Sequence, residues 1–273
     1  MIEFKPVRLE DRAVIERYTM PSGICNCDLA FANMYCWQAV FHSAWAEIGG
    51  FLVIRFQIDG GERIGYMQPV GEGDFGPILP LLREDAHAHG QRLRIIGLTD
   101  EGRDTIRRIV PCHFAFESDR ALEDYVYNAD DLRNLAGRRY QPKRNHINRF
   151  TAEYPDYCYE ELTPDRFGEC MALEREWRKA HEGHTSELCA EQRAMQRAFE
   201  HFEELGLIGG WVYSRERPRS PRPPRGLHLR LGGQRPHLRH PCREGRHGVR
   251  RRFHDHQQTL RTAPPRTFHA DQP

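Results

Sequence analysis

No apolar run in this 273-residue chain approaches the roughly 20 residues a membrane-spanning helix needs, and Met1 to Glu10 is too charged to read as a secretory signal. Disulfide-scaffold spacing is also missing. The cysteines before residue 214 (Cys25, Cys27, Cys36, Cys112, Cys158, Cys170 and Cys189) are odd in number and scattered, so reduced thiols in a soluble, cytoplasmic protein are expected. Metal-ligand spacing is wanting as well. Cys25-x-Cys27 is too close and too solitary for a structural zinc site, and His181-Glu182-Gly183-His184 with Cys189 matches no tetrahedral pattern. Neither a metal nor a bound cofactor is expected. Gly71-Glu72-Gly73-Asp74 precedes a helix, where free amides can meet an anion, but it lacks the full glycine pattern of a phosphate or dinucleotide loop, and a plain turn is the simpler reading.

Lysine is absent from Ser214 to Pro273. That segment holds fifteen Arg, nine Pro and seven His, with scattered apolar residues such as Leu229, Val249, Phe253 and Phe268. Such a composition buries too little apolar surface to offset its ordering entropy. A one-base shift of the reading frame changes the picture. Residues 225–230 can then encode Val-Ala-Phe-Thr-Phe-Gly, 241–252 can become His-Val-Glu-Lys-Ala-Asp-Thr-Ala-Tyr-Asp-Gly-Ala, and 268–273 can become Phe-Thr-Leu-Ile-Asn-Arg. Strand formers and alternation return. A genuine Arg/Pro-rich tail for RNA or acidic partners is the other reading. A single-base slip between Tyr213 and Arg225 is the better account, and it predicts residues 214–273 to be an out-of-frame tail without a packed core. Setting the tail aside also changes the charge. Its fifteen Arg against four acidic residues give it +11, so the body carries −10 within a total of +1. An acidic body excludes indiscriminate nucleic-acid binding and leaves room for a local basic site.

Along the body, Ile2 to Leu9 reads as an edge strand and Asp11 as the cap of a short helix to Tyr18. Asp28 to Phe41 reads as a buried helix with Leu29, Ala32, Asn33 and Cys36 on one face. Trp45 to Ile48, Phe51 to Ile58 and Arg63 to Pro69 read as a three-stranded meander with glycine turns. A helix to about His89, a strand Leu93 to Leu98, a helix Glu101 to Val110 and strands near Phe114 and Tyr125 follow. From Tyr157 the opening order returns: strand to Leu162, helices Pro164 to Ala180 and Ser186 to Leu205, strand Leu207 to Tyr213. The fold expected is therefore α/β with two mixed-sheet copies of one small unit, at 1–128 and 156–213, joined by a basic region at 129–155, the second copy cut short. Phe51, Val53, Ile95, Ile96 and Phe114 are expected in the first core. Trp37, Trp45 and Trp177 are most simply core residues too.

The most distinctive stretch runs from Gly137 to Phe150. Pro142 suits the first turn of a helix. Ile147, Phe150 and Tyr154 then form one stripe, with Lys143 on the same side and Asn145, Asn148 and Arg149 opposite. A cation on an apolar stripe must snorkel or meet a partner in a cleft between the two units. A solvated linker helix fits the same residues. His146 suits either a general base or a helix histidine hydrogen-bonded at the joint.

Asn26-Cys27-Asp28-Leu29 with Trp37, Tyr66-Met67-Gln68-Pro69-Val70-Gly71, and Tyr140-Gln141-Pro142-Lys143-Arg144-Asn145-His146-Ile147-Asn148-Arg149-Phe150 with Tyr154-Pro155 closely resemble the phosphatidylglycerol lysyltransferase C-terminal-domain family. The resemblance is to its short, stand-alone bacterial members and covers about 1–213. It implies a tandem acetyltransferase-like (GNAT-type) fold and an acyltransferase activity. Aminoacyl-tRNA is the donor in membrane-linked relatives, and an acyl-thioester such as acyl-CoA is the other donor considered. The block then supplies a basic surface for tRNA, with Arg139, Lys143, Arg144, Asn145, His146, Asn148 and Arg149 as substrate-binding candidates. No catalytic residue and no acceptor is indicated. A non-catalytic module presenting the basic helix to RNA or another acidic partner is the alternative.

Overall fold

The computed structural model describes residues 2–111, 113–118, 124, 127–180, 186–214, 226–231, 248–252 and 268–269. They fall into two compact units, one of 1–124 with 261–273, the other of 125–260.

The first unit opens with a strand far shorter than the eight residues expected. β1 (Lys5–Pro6) pairs antiparallel with β2 (Ala44–Ile48). The backbone N–H of Arg8 then donates to Asp11 Oδ2 at 2.8 Å and starts a 3-10 turn, Leu9–Asp11, ahead of α1 (Arg12–Thr19). Asp11 stands at the N-cap of α1 but its side chain makes no cap bond there, because its carboxylate is turned back to the Arg8 N–H. α2 (Phe31–Phe41) buries Phe31, Ala32, Met34, Tyr35 and Cys36, and His42 ends it at φ +48°. The expected start at Asp28 is displaced, because Asn26 Oδ1 accepts the Asp28 N–H at 2.8 Å and turns 27–29 into a separate 3-10 turn.

β2, β3 (Phe51–Ile58) and β4 (Arg63–Met67) form the expected meander, and β5 (Val70–Gly71) returns to pair with β3. After α3 (Ile78–Ala88), β6 (Arg94–Ile96) lies parallel to β4, and α4 (Asp100–Ile109) leads to β7 (Ala115–Phe116). Phe51, Val53, Ile95 and Ile96 are buried as expected, and Phe114 packs half-buried against the same core. Inside that core Asp85 Oδ2 accepts from Arg55 at 2.9 Å and from the Tyr66 hydroxyl at 2.5 Å. The acid is thereby paired rather than left as a bare buried charge.

The second unit repeats the opening order. α5 (Ala129–Asn134) and α6 (Gln141–Glu153) precede β8 (Tyr157–Glu161), then α7 (Phe167–Ala180), α8 (Ser186–Glu200) and β9 (Leu207–Ser214). Cys170, Leu173, Ala194, Met195, Phe199, Leu205 and Trp211 are buried, and Phe167 stacks on Phe199 at 4.4 Å. β10 (Gly226–Leu231) pairs with β9, and β11 (Gly248–Arg252) with β10, giving the antiparallel order β11-β10-β9-β8. β12 (Phe268–His269) lies instead in the first unit, antiparallel between β6 and β7. The rest of the expected out-of-frame tail, and the strand expected at Tyr125, lie outside the described residues.

Candidate functional site

The basic block is built on a rigid turn. α5 is capped by Asn128, whose Oδ1 accepts from Asp130 N at 2.9 Å, and it ends at Leu135 with φ +48°. Gly137, at φ +81°, supplies a left-handed conformation that a β-carbon would strain. A 3-10 turn, Arg138–Tyr140, then feeds α6 with Pro142 in its first turn. Tyr140 is buried, and its hydroxyl donates to Asp131 Oδ2 at 3.2 Å. Burial first, and then that carboxylate, push its phenol above the ordinary value.

The seven candidates divide. Arg144 is committed to the turn: its guanidinium donates to the Leu135 carbonyl, to the Gly137 carbonyl at 2.8 Å and to Gln141 Oε1. Asn145 accepts from Gln141 Nε2 at 2.8 Å. Lys143 holds its ammonium 4.9 Å from the centre of the Tyr127 ring, and Arg139 lies over the Tyr140 ring at 5.5 Å, both cation–π geometries. Arg139, His146, Asn148 and Arg149 are exposed.

The apolar stripe expected on α6 is not formed as read. Ile147 is 44% exposed, and no residue of the helix is buried. Phe150 alone finds aromatic partners, Tyr154 at 5.2 Å and Tyr157 edge-on at 5.4 Å. Of the cations in the helix, Arg149 is exposed, while Lys143 and Arg144 are half-buried.

A second constellation lies in the first unit, at the end where the parallel strands β4 and β6 finish. Asn33 Nδ2 donates to Asp28 Oδ1 at 3.0 Å, and the Cys27 thiol lies 3.2 Å from Asp124 Oδ1 and 3.9 Å from Asp28 Oδ1. The Cys27 N–H donates to Asp124 Oδ2 at 3.1 Å. Burial, and then the charge of Asp124, push the Asp28 carboxyl up to about 6, and burial with the two acids pushes the Cys27 thiol up. Asn26 packs on Gly97, where a Cβ would stand 2.7 Å from its Nδ2. Gln68 Oε1 accepts from Thr99 N at 2.9 Å, and the Thr99 hydroxyl caps α4 through Gly102 N at 2.9 Å. Sequence reading noted Asn26-Cys27-Asp28-Leu29 and Gln68 only as part of a resemblance. The meeting of Cys27 with Asp124 depends on a contact 97 positions apart, for which no local pattern exists.

The remaining candidates resolve differently. At Gly71-Glu72-Gly73-Asp74 the Asp74 carboxylate accepts the Gly76 N–H at 2.8 Å, so an acid already holds the amide an anion would use. Cys25 is exposed. Among the described residues no group of three or more His, Cys, Asp or Glu is arranged to hold a metal. His181 to His184 lie outside the described residues. Trp45 is buried in its sheet, Trp37 is half-buried against Phe41 at 5.7 Å, and the Trp177 side chain lies outside the described residues.

Strand, two helices and antiparallel strands recur in both units, which defines a tandem, acetyltransferase-like α/β protein. Residues 23–220 match the phosphatidylglycerol lysyltransferase C-terminal family, and the chain belongs to that family. A conserved protein of unknown function from Bacteroides thetaiotaomicron is 39% identical with a TM-score of 0.76, over 84% of this chain and 75% of that one. The structure of L-PGS from Bacillus licheniformis shares the fold at 12% identity and a TM-score of 0.52; the match covers 84% of this chain and 64% of that longer one. No curated protein sequence matches the chain. Family membership makes the chain acyltransferase-like, and among the described residues no helix is long and apolar enough to cross a membrane.

Proposed function

We propose that this protein is a cytoplasmic aminoacyltransferase-like enzyme that takes an aminoacyl group from aminoacyl-tRNA and passes it to an unidentified acceptor. The observation carrying this reading is the group of cations gathered on α6 and the turn before it, exposed Arg139 and Arg149 with half-buried Lys143, beside exposed His146 and Asn148, on a turn held by Arg144 and Tyr140. Phosphates are met by such fixed cations, and their contact positions the donor. In the transfer, an acceptor hydroxyl or amine attacks the ester carbonyl, the C–O bond to the tRNA breaks, and the released 3′-oxygen takes up a proton. A base must remove the acceptor's proton.

We also infer that residues after about 214–225 are out of frame and that the chain as written is impaired. Two observations support this. The family match ends at residue 220, inside the stretch where the slip is placed. The segment's own composition is that of an unpacked chain.

The test is to restore the frame and incubate the protein with aminoacyl-tRNA or acyl-CoA and candidate acceptors, following labelled acyl transfer. Product that disappears in Lys143→Ala with Arg149→Ala supports the reading. RNA binding without product from any donor supports the non-catalytic module instead.

A further inference from the structure

Lys143 is half-buried in the first turn of α6, where an ammonium with three N–H donors ordinarily finds an acceptor. Among the described residues it has neither a carboxylate nor a hydrogen-bond acceptor, and its one partner is the Tyr127 ring, whose centre lies 4.9 Å from Nζ. The next residue behaves differently. Arg144 directs its guanidinium to the Leu135 and Gly137 carbonyls and so belongs to the turn. Lys143 is held in place by a partner that leaves its charge unpaired.

Tyr127 reaches Lys143 because α5 is fastened at both ends. Asn128, the next residue, caps α5, its Oδ1 accepting from Asp130 N at 2.9 Å and from Asp131 N at 3.4 Å. Asp131 in turn accepts the Tyr140 hydroxyl at 3.2 Å, and Arg144 closes on the Gly137 carbonyl at 2.8 Å. These contacts set the residue before α5 beside the first turn of α6, and Tyr127 is half-buried there. A ring face attracts an ammonium through its quadrupole and takes none of its donors into a directed bond. A carboxylate at the same place would pair the charge and engage those donors. The ring therefore localises the cation and keeps it available to an anion.

We propose that Tyr127 is the positioning residue of Lys143, holding its ammonium in advance for a backbone phosphate of the RNA donor. The proposal rests on the RNA-facing reading of α6 and adds to it a residue that acts through Lys143 rather than on the RNA itself. A lysine released from the ring would regain the rotamer freedom of its four-carbon stem, and that freedom would have to be lost again when a phosphate is bound. Tyr127 thus raises affinity without contributing a charge.

The experiment uses the full chain and deacylated bulk tRNA, with binding followed over a range of salt concentrations. Tyr127→Leu is expected to lower affinity about fivefold and, although it removes no charge, to reduce the salt slope by about one phosphate contact. Tyr127→Phe, which restores a ring face, should keep both. Lys143→Ala should lower affinity and slope likewise, and adding Tyr127→Leu to it should change nothing further, since the tyrosine acts through the lysine. A second measurement needs no tyrosine variant. The sequence has three lysines, Lys5, Lys143 and Lys179, so carbon-13 lysine labelling gives three side-chain signals, and Lys143→Arg identifies the one that should be shifted upfield by the Tyr127 ring. Tyr127→Leu or Lys143→Ala binding as tightly as the unaltered chain, losses that add in the double variant, or a Lys143 signal without the ring shift would overturn the positioning role and leave the RNA reading of α6 to Arg149. Lys143→Ala and Arg149→Ala both without effect, or no binding of tRNA at low salt, would overturn both readings.

Discussion

The Arg144 guanidinium donates to the Gly137 carbonyl at 2.8 Å, across seven residues and around the turn that launches α6. An arginine in the middle of a basic block thus serves the backbone rather than a ligand. Arg144→Ala leaves carbonyls at the end of α5 without their donor, and we expect a loss of about 1–3 kcal/mol in urea unfolding. Lysine cannot reproduce the fork, so Arg144→Lys should restore little of that stability. Arg149→Ala, by contrast, should leave stability within about 0.5 kcal/mol and reduce RNA affinity.

Asp28 gives the protein a pH dependence of definite sign. Its folded carboxyl titrates near 6 against an ordinary 3.8, so the folded state holds a proton that the unfolded chain has released. The stabilisation is complete below about pH 4 and is lost as pH rises through about 6, by up to about 3 kcal/mol. Unfolding free energies measured between pH 4 and 7.5 should fall with pH in the unaltered chain. They should be flatter in Asp28→Asn, which keeps the uncharged shape.

Gly102 is the one position in α4 where a side chain cannot stand. A Cβ there would lie 2.7 Å from Gln68 Cδ and closer still to its Oε1. Gly102→Ala forces Gln68 off the Thr99 N–H, and overpacking of this kind costs about 1–3 kcal/mol despite alanine's better helix propensity. A lowered melting temperature is the expected outcome. Pairing it with Gln68→Ala should recover part of the loss.

The frame inference has the plainest check. Sequencing the gene across codons 213–225 should show a one-base discrepancy, and the corrected protein should be more soluble, melt higher and resist limited proteolysis beyond residue 214. Equal solubility, melting and activity of the two forms would establish the tail as a legitimate part of the protein.

Much of this molecule is written locally. Alternation and glycine turns place β2, β3 and β4; the 3.6-residue period places α3, α4, α7 and α8; Pro142 places the start of α6; and the repeated order of elements reveals two units. Local signals work there because each depends on residues within one or two turns of each other. The family resemblance, too, was legible in short motifs. What the sequence did not yield depends on distant partners. Asp28 and Cys27 become a site only when Asp124 reaches them, and Arg144 looks like any other cation until the turn at Gly137 closes around it. The stripe through Ile147 failed because a helical period shows which residues share a face and cannot show whether another element covers it. The strand at Phe268–His269 pairs antiparallel with β6 and with β7. Such a pairing is specified by where a sheet has an open place, a property of the folded chain rather than of any neighbouring residues.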